Sequence, residues 1–338
     1  MADLDLADIQ GLIARGYRDL TAARYRLLRI SDARLARGWL ARLSSIVTRA
    51  DQRPTQSATQ VAFSAGGLRR LGVPEHVLQT FSNEFSAGMI TPHRRRALGD
   101  VEASAPEHWL WGGPNTPSID ILLALFASDQ DALSRQDQGL QAGSGGLDDV
   151  LTLESAVDLD GREHFGFADG LSQPTIAGLS DRRDLPSNTI QPGEVILGYP
   201  NEYGRYTDRP LLEPVAAAAR LPLDAAGSGR ADLGRNGSYL VFRQLSQDVH
   251  GFWRHLDEAA RAHGQADPHR RTWLASKMVG RWPSGAPLVL APYEDDPSLA
   301  SANDFMYHYL DELGLNCPIG AHVRRAHPRD SLDPAPGT

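Results

Sequence analysis

Apolar and polar positions alternate along residues 22–30, where Tyr25, Leu27 and Leu28 stand among arginines, and this period of two predicts a strand from Ala22 to Ile30. Ser31-Asp32 follows as a helix cap, and Leu35, Trp39, Leu40, Leu43, Ile46 and Val47 then recur at helical spacing. A second strand is predicted from Gln60 to Ser64 and a short helix from Gly67 to Leu71. The apolar run from Ile119 to Ala127 predicts a more buried third strand. Ser128-Asp129 caps a helix that reaches Gln141, and the glycines from Gly143 to Gly146 end it. Val150 to Leu153 opens the next strand. Strand–helix–strand taken twice is the split βαβ arrangement of a ferredoxin-like domain, assigned to residues 1–156.

Residues 157–235 read differently, with turn signals at Asp160-Gly161, Asp169-Gly170 and Gln191-Pro192-Gly193. Aromatic and apolar residues run through the stretch, so it is expected to be an ordered, loop-rich connection. The opening pattern then recurs. Tyr239 to Arg243 predicts a strand, Ser246 to Asp248 a cap, and Val249, Phe252, Trp253 and Leu256 a helix. Tyr25, Arg29 and Trp39 match Tyr239, Arg243 and Trp253 at a constant offset of 214 residues, which predicts a duplicated domain over residues 236–338. The same offset carries Ile119 to position 333, within Asp333-Pro-Ala-Pro-Gly-Thr338, where proline and glycine bar a buried strand. The second domain is therefore expected to be incomplete: either it is abbreviated or the chain ends before it closes.

Composition narrows the function. Of 338 residues, 41% are hydrophobic and 22% charged, the balance of an ordinary globular protein. The longest clean apolar run, Ile121 to Ala127, falls far short of the ~20 residues of a membrane-spanning helix. The acidic start Met1-Ala-Asp-Leu-Asp5 lacks the basic-then-apolar order of a secretory signal, so a cytoplasmic protein without membrane association is expected. A net charge of −8 argues against a nucleic-acid partner. The single cysteine, Cys317, excludes an internal disulfide and any multi-cysteine zinc or iron–sulfur site. Basic residues nevertheless cluster at His93-Arg94-Arg95-Arg96 and at Arg324, Arg325 and Arg329, each cluster either an anion site or a solvated face.

Two segments carry candidate chemistry. Phe165-Gly166-Phe167-Ala168-Asp169-Gly170 sets an acid between two glycines, and Gly166 and Gly170 permit positive φ and close approach of backbone to a flat ligand. Cys317-Pro-Ile-Gly-Ala-His322-Val-Arg-Arg325 sets one histidine among small residues and ahead of two arginines. Small neighbours let a large ring approach, and arginines pair with carboxylates. With no second ligand at metal spacing, a metal here is one already held by a macrocycle, which favours haem over zinc.

Together these segments resemble those of the dye-decolorising peroxidases, and the resemblance extends over nearly the whole chain. It runs through Asp8-Ile-Gln-Gly-Leu-Ile13, Ser104-Ala-Pro-Glu-His-Trp-Leu-Trp-Gly-Gly113, the Gly-x-x-Asp-Gly motif at Gly166 to Gly170, Gly193-Glu-Val-Ile-Leu-Gly-Tyr199, Lys277-Met-Val-Gly-Arg-Trp282 and Cys317 to Arg329. The resemblance implies an α+β fold of two ferredoxin-like domains of dimeric α/β-barrel type, with antiparallel sheets and peripheral helices. It also implies one haem b per chain, bound mainly by the C-terminal domain. Carried over, His322 is the proximal iron ligand and Asp169 lies on the distal face with Gly166 and Gly170. Arg324, Arg325 and Arg329 are the propionate contacts to choose among. The implied activity is reduction of hydrogen peroxide with one-electron oxidation of dyes or phenols, Asp169 taking a proton from one peroxide oxygen and returning it to the other. A carboxylate stays a usable base in acid that would protonate a histidine, so an acidic optimum is expected. Trp111, Trp253, Trp273, Trp282 and Tyr239 form the pool for any surface electron relay.

One departure matters. The family also uses a distal arginine a short way C-terminal of the proximal histidine, and none follows Arg329 here. An impaired haem-binding protein, or a structural fragment, is thus the alternative expectation, with self-association through exposed apolar surface and an open sheet edge.

Overall fold

The computed structural model describes residues 4–155, 161–179, 188–213, 218, 220–261 and 265–332. By its contacts the chain falls into two compact units, Met1–Ala156 with Gln191–Val241, and Val157–Ile190 with Phe242–Thr338.

In the first unit α1 (Gly11–Ala14) precedes β1 (Ala22–Ile30), and Asp32 caps α2 (Ala33–Leu43) by accepting from the Arg34 and Leu35 amides at 2.8 and 2.9 Å. The helix stops at Leu43, so Val47 reaches the core from the turn that follows. β2 (Ser57–Phe63) starts three residues before the sequence pattern suggests, because its pairing with β3 (Ile121–Ala127) sets its length, from Ser57 opposite Ala127 to Phe63 opposite Ile121. Between them lie α3 (Ala65–Arg70), α4 (Glu75–Leu78), α5 (Asn83–Ala87) and α6 (Pro92–Leu98). Gly67 is required at the first of these: a Cβ there would fall on the Asp120 carbonyl. α7 (Gln130–Gln141) and β4 (Leu147–Glu154) complete the sheet layer, and all three strand pairings are antiparallel in the order β2-β3-β1-β4. That is the split βαβ topology the periodicity predicts.

The even positions of β1 face the helices. Ala22, Leu28 and Ile30 join Leu123, Leu125, Trp39 and Leu133 in the core. Arg24 and Arg26 lie on the same face and are balanced by Asp137 of α7, at 2.7 and 3.1 Å, with Arg26 and Asp137 both buried. Alternation along the strand therefore does not send these arginines to solvent.

The chain then passes through β5 (Thr175–Ile176) and β6 (Thr189–Ile190), a short parallel pair in the second unit, and returns to the first unit for β7 (Leu211–Leu212) and β8 (Ala231–Asp232). This returning stretch is closed by a buried ion cluster in which Arg209 donates to Asp232 at 2.8 Å and to Asp224. Burial opposes charge on Asp224, but hydrogen bonds from Ser228 and the Ala226 amide, together with Arg209, hold its carboxyl down to about 2. A depressed folded value stabilises above the unfolded value of 3.8 and is lost as pH falls toward 2. Acid unfolding of Asp224→Asn followed by circular dichroism is expected to show a shallower loss of stability between pH 4 and 2 than the parent chain; an identical acid limb would remove Asp224 from that role.

The second unit carries α8 (Val249–Ala260), capped by Asp248, α9 (Pro268–Val279), capped by Asp267, α10 (Tyr307–Asp311) and α11 (His322–Ala326). The strand predicted from Tyr239 to Arg243 does not form. The chain runs without regular structure from Ser238 to Asp248, and the division between the units falls inside it. β1 is a strand because β3 and β4 flank it. No strand among the described residues lies beside Tyr239–Arg243, and a period of two cannot build a ladder alone. Two ferredoxin-like sheets are thus not present among the described residues; there is one. No helix among them is long and apolar enough to cross a membrane.

Candidate functional site

The Gly-x-x-Asp-Gly loop is built from its own backbone. Arg162 bridges to Ala168, the Glu163 carboxylate accepts from the Phe165 and Phe167 amides at 2.8 and 2.7 Å, and the Asp169 amide donates to the Gly161 carbonyl at 3.0 Å. Gly166 and Gly170 take φ of 95° and 73°, and a Cβ at either would meet nothing within 4 Å, so both glycines border open space. Phe167 anchors the loop, buried against Leu256 of α8 and Ala275 of α9 and stacked on Trp253 with centroids 6.4 Å apart. From the other side the Ala168 amide and Arg162 donate to the Pro283 carbonyl at 3.2 and 3.0 Å. Asp169 is thereby presented to solvent, with one oxygen accepting from the Gly170 amide at 2.7 Å.

His322 opens α11 in the same unit. It is exposed, and among the described residues its ring has no hydrogen-bond partner. The segment before it is buried at Cys317 and Ala321, where burial pushes the thiol up to about 11. α9 ends against this segment: Gly280, at φ 96°, leaves room for Val323 and Ala321, whose Cβ atoms would stand 3.2 and 3.4 Å from a Cβ placed there. The three arginines that follow have different fates. Arg325 is exposed. Arg324 is buried and ion-paired to Asp311 at 3.3 Å. Arg329, held at φ 53°, donates to the Asn303 carbonyl at 2.9 Å and to its Oδ1 at 2.6 Å, and lies 4.0 Å over the Phe305 ring.

Arg329 belongs to a cationic cluster that sequence reasoning missed. Arg281, 3% exposed, donates to Ser172 Oγ at 2.9 Å, to the Gly285 and Ala302 carbonyls at 2.7 and 3.0 Å, and to Asn303 Oδ1 at 3.1 Å. His327 Nδ1 lies 3.2 Å from the Ser172 carbonyl, so Arg281 and His327 both hold the residue three places after Asp169. Burial, with Arg329 beside it, lowers Arg281 to about 10. Burial and the same two arginines push His327 down to about 4. Asp304 and Asp330 act on Arg329 electrostatically, while Arg329 Nε is buried without a hydrogen-bond partner among the described residues. Arg281 stands within the Lys277–Trp282 motif; its burial was the signal, and burial cannot be read from a single sequence.

The other basic run is a surface face. Arg94 pairs with Glu84 at 2.8 Å and Arg95 with Glu107 at 2.7 Å, which spends the charge an anion would need. Of the aromatic residues considered for electron relay, Trp282 is buried in the core and Trp253 lies 4.4 Å beneath the Arg271 guanidinium.

No group of three or more His, Cys, Asp or Glu among the described residues could hold a metal ion. The donor set fits haem better than a bare ion: one uncommitted imidazole among small residues, open space at both loop glycines, and an exposed arginine, Arg325, three residues after the imidazole to meet a carboxylate.

An α+β chain with a ferredoxin-like sheet, a free histidine and an exposed aspartate on a double-glycine loop defines a class of protein, and comparison with known proteins supplies its family. No protein-family model matches. The chain is 30% identical over 352 residues to the dye-decolorizing peroxidase of Exidia glandulosa, covering 98% of this chain and 64% of that one. It is 29% identical over 347 residues to dye-decolorizing peroxidase msp1 of Mycetinis scorodonius, with 98% and 62% covered. The structure resembles a decolorizing peroxidase from Auricularia auricula-judae with a TM-score of 0.77 and 27% identity, over 98% of this chain and 71% of that one. It resembles an ancestral D-type dye-decolorizing peroxidase at 0.76 and 26%, over 99% and 72%. The chain belongs to the dye-decolorising peroxidase family, and it spans somewhat under two thirds of the length of these curated relatives.

Proposed function

We propose that this chain binds haem b through His322 and takes part in peroxidase chemistry, with hydrogen peroxide as oxidant and a dye or phenol as reductant. The observation that carries this reading is the presence, within one unit, of an uncommitted imidazole and of an exposed carboxylate on a loop whose glycines border open space. Relatives support it: one solved family member is a complex with 2,6-dimethoxyphenol, and another had its haem pocket engineered for asymmetric sulfoxidation. When bound, haem supplies the iron redox chemistry that cleaves the peroxide bond and draws single electrons from a reductant. His322 is the residue that would hold the iron, through a ring nitrogen. Gly166 and Gly170 let the loop backbone lie close to a flat ligand. Asp169 takes a proton from one peroxide oxygen and delivers it to the other. Arg325, exposed, is the propionate partner of choice, and Arg329, whose Nη atoms are held by Asn303, is the alternative. In this reading the second unit, Val157–Ile190 with Phe242–Thr338, is the haem-binding unit and carries both Asp169 and His322.

Exposure favours a second reading. His322 and Asp169 both face solvent, and preorganised charge stabilisation needs a water-excluded site, so a haem-binding protein with little turnover is the alternative. Adding haemin to the purified chain tests the first half of the proposal. A shifted, intense Soret band that disappears in His322→Ala is expected, and a spectrum matching free haemin in both chains would overturn it. Peroxide with a dye then separates the two readings: bleaching supports the enzyme, and an unreacted dye supports the binding protein.

A further inference from the structure

α11 is five residues long and its Ala321 N-cap offers no side-chain bond, so the helix that presents His322 cannot hold its own orientation. Arg324, two residues on, does this work from the buried side. Its Nη1 donates to the Asp311 carbonyl at 2.9 Å, to the Cys317 carbonyl at 2.9 Å and to Asp311 Oδ2 at 3.3 Å, and its Nη2 donates to the Glu312 carbonyl at 3.3 Å. The guanidinium lies 4.2 Å over the Tyr307 ring. Asp311, itself buried, accepts from the Asn316 and Cys317 amides at 2.9 and 2.7 Å. Asp330 caps α10 from the far end of the segment, through the Tyr307 and His308 amides at 2.7 and 3.1 Å. All of Arg324's partners thus lie in residues 307–317. Side chains two apart on a helix do not share a face, so fixing Arg324 inward turns His322 outward.

We infer that Arg324, with Asp311, is a positioning residue for His322 and not a propionate contact; the inference rests on the reading of His322 as the iron ligand. Two of the guanidinium's three nitrogens are committed to the fold, and only Nε lacks a partner among the described residues. Lysine could not replace it, because a point charge cannot span three carbonyls, a carboxylate and a ring face at once.

The test titrates the full chain with haemin and, separately, with haem dimethyl ester, whose propionates are blocked. The variants are His322→Ala, Arg324→Lys, Asp311→Asn and the double variant His322→Ala with Arg324→Lys. Arg324→Lys and Asp311→Asn are each expected to weaken both porphyrins alike, by about tenfold, and to displace the Soret band, as removal of a group that orients a metal ligand does. Residual haemin binding to His322→Ala, followed by quenching of tryptophan fluorescence, is expected to lose nothing further on Arg324→Lys. A loss confined to haemin would make Arg324 a propionate contact, and an equal loss in the His322→Ala background would make it merely structural; either overturns the inference. So would unchanged titrations in Arg324→Lys and Asp311→Asn. If Arg324→Lys does not fold, Asp311→Asn carries the same comparison. A His322→Ala chain that keeps the Soret band of the parent would bring down the ligand reading itself, an outcome distinct from the others.

Discussion

Replacing Asp169 by asparagine in the haemin-loaded chain lowers dye bleaching by about 10²–10⁴-fold while leaving the Soret band in place, if the proton transfer proposed for it is correct. Asparagine keeps the size and the acceptor that the Gly170 amide meets at 2.7 Å, so the loop has no reason to move. What is lost is the ability to take a proton from one peroxide oxygen and return it to the other. The loop's anchors lie elsewhere, in Glu163, Phe167 and the Pro283 carbonyl, which separates the chemical effect from a structural one. Turnover in Asp169→Asn within threefold of the parent, or an optimum at or above neutral pH in the parent, would remove Asp169 from the reaction.

The largest expected loss of stability lies in the ferredoxin-like sheet. Asp137→Ala removes the carboxylate that meets Arg24 and Arg26 and leaves Arg26, 3% exposed, with half-exposed Asp149 as its remaining acid, at 2.6 Å. Arg26 keeps both bonds to Asp149, so the loss is that of one buried partner of a charged donor and costs about 1–3 kcal/mol. The exposed pair Arg29–Asp148, at 2.8 Å, is the control, since breaking it costs about 1 kcal/mol or less. Urea unfolding should separate the two variants clearly. Equal midpoints for Asp137→Ala and Asp148→Ala would mean that the network is solvated and that burial on this face does not govern it.

Local signals fixed much of the first unit. Asp32 and Asp129 cap the helices they precede because a short side-chain acceptor satisfies free amides wherever the backbone turns. Ile121 to Ala127 is buried along its whole length, as a continuous apolar run requires when both faces are covered. The motif segments of the second unit were equally legible, since glycine at Gly166 and Gly170 answers a local demand for positive φ.

Partner-dependent features were not legible. Tyr239 to Arg243 has the alternation of β1 and forms no strand, because a strand exists only when neighbours accept its hydrogen bonds. Nothing along the chain tells that Arg24 and Arg26 lie on the helix-covered face, where α7 brings Asp137 to meet them. Arg324, Arg325 and Arg329 look equivalent along the chain, yet one is locked against Asp311, one is exposed, and one joins Arg281 and His327 around Asn303 and Ser172. The sequence by itself determined which residues could ligate, accept a proton or turn the backbone, because those capacities belong to single side chains and their immediate neighbours. Tertiary structure alone decided which charges are buried and which are free to meet a ligand, because desolvation and pairing depend on groups that lie far apart in the chain.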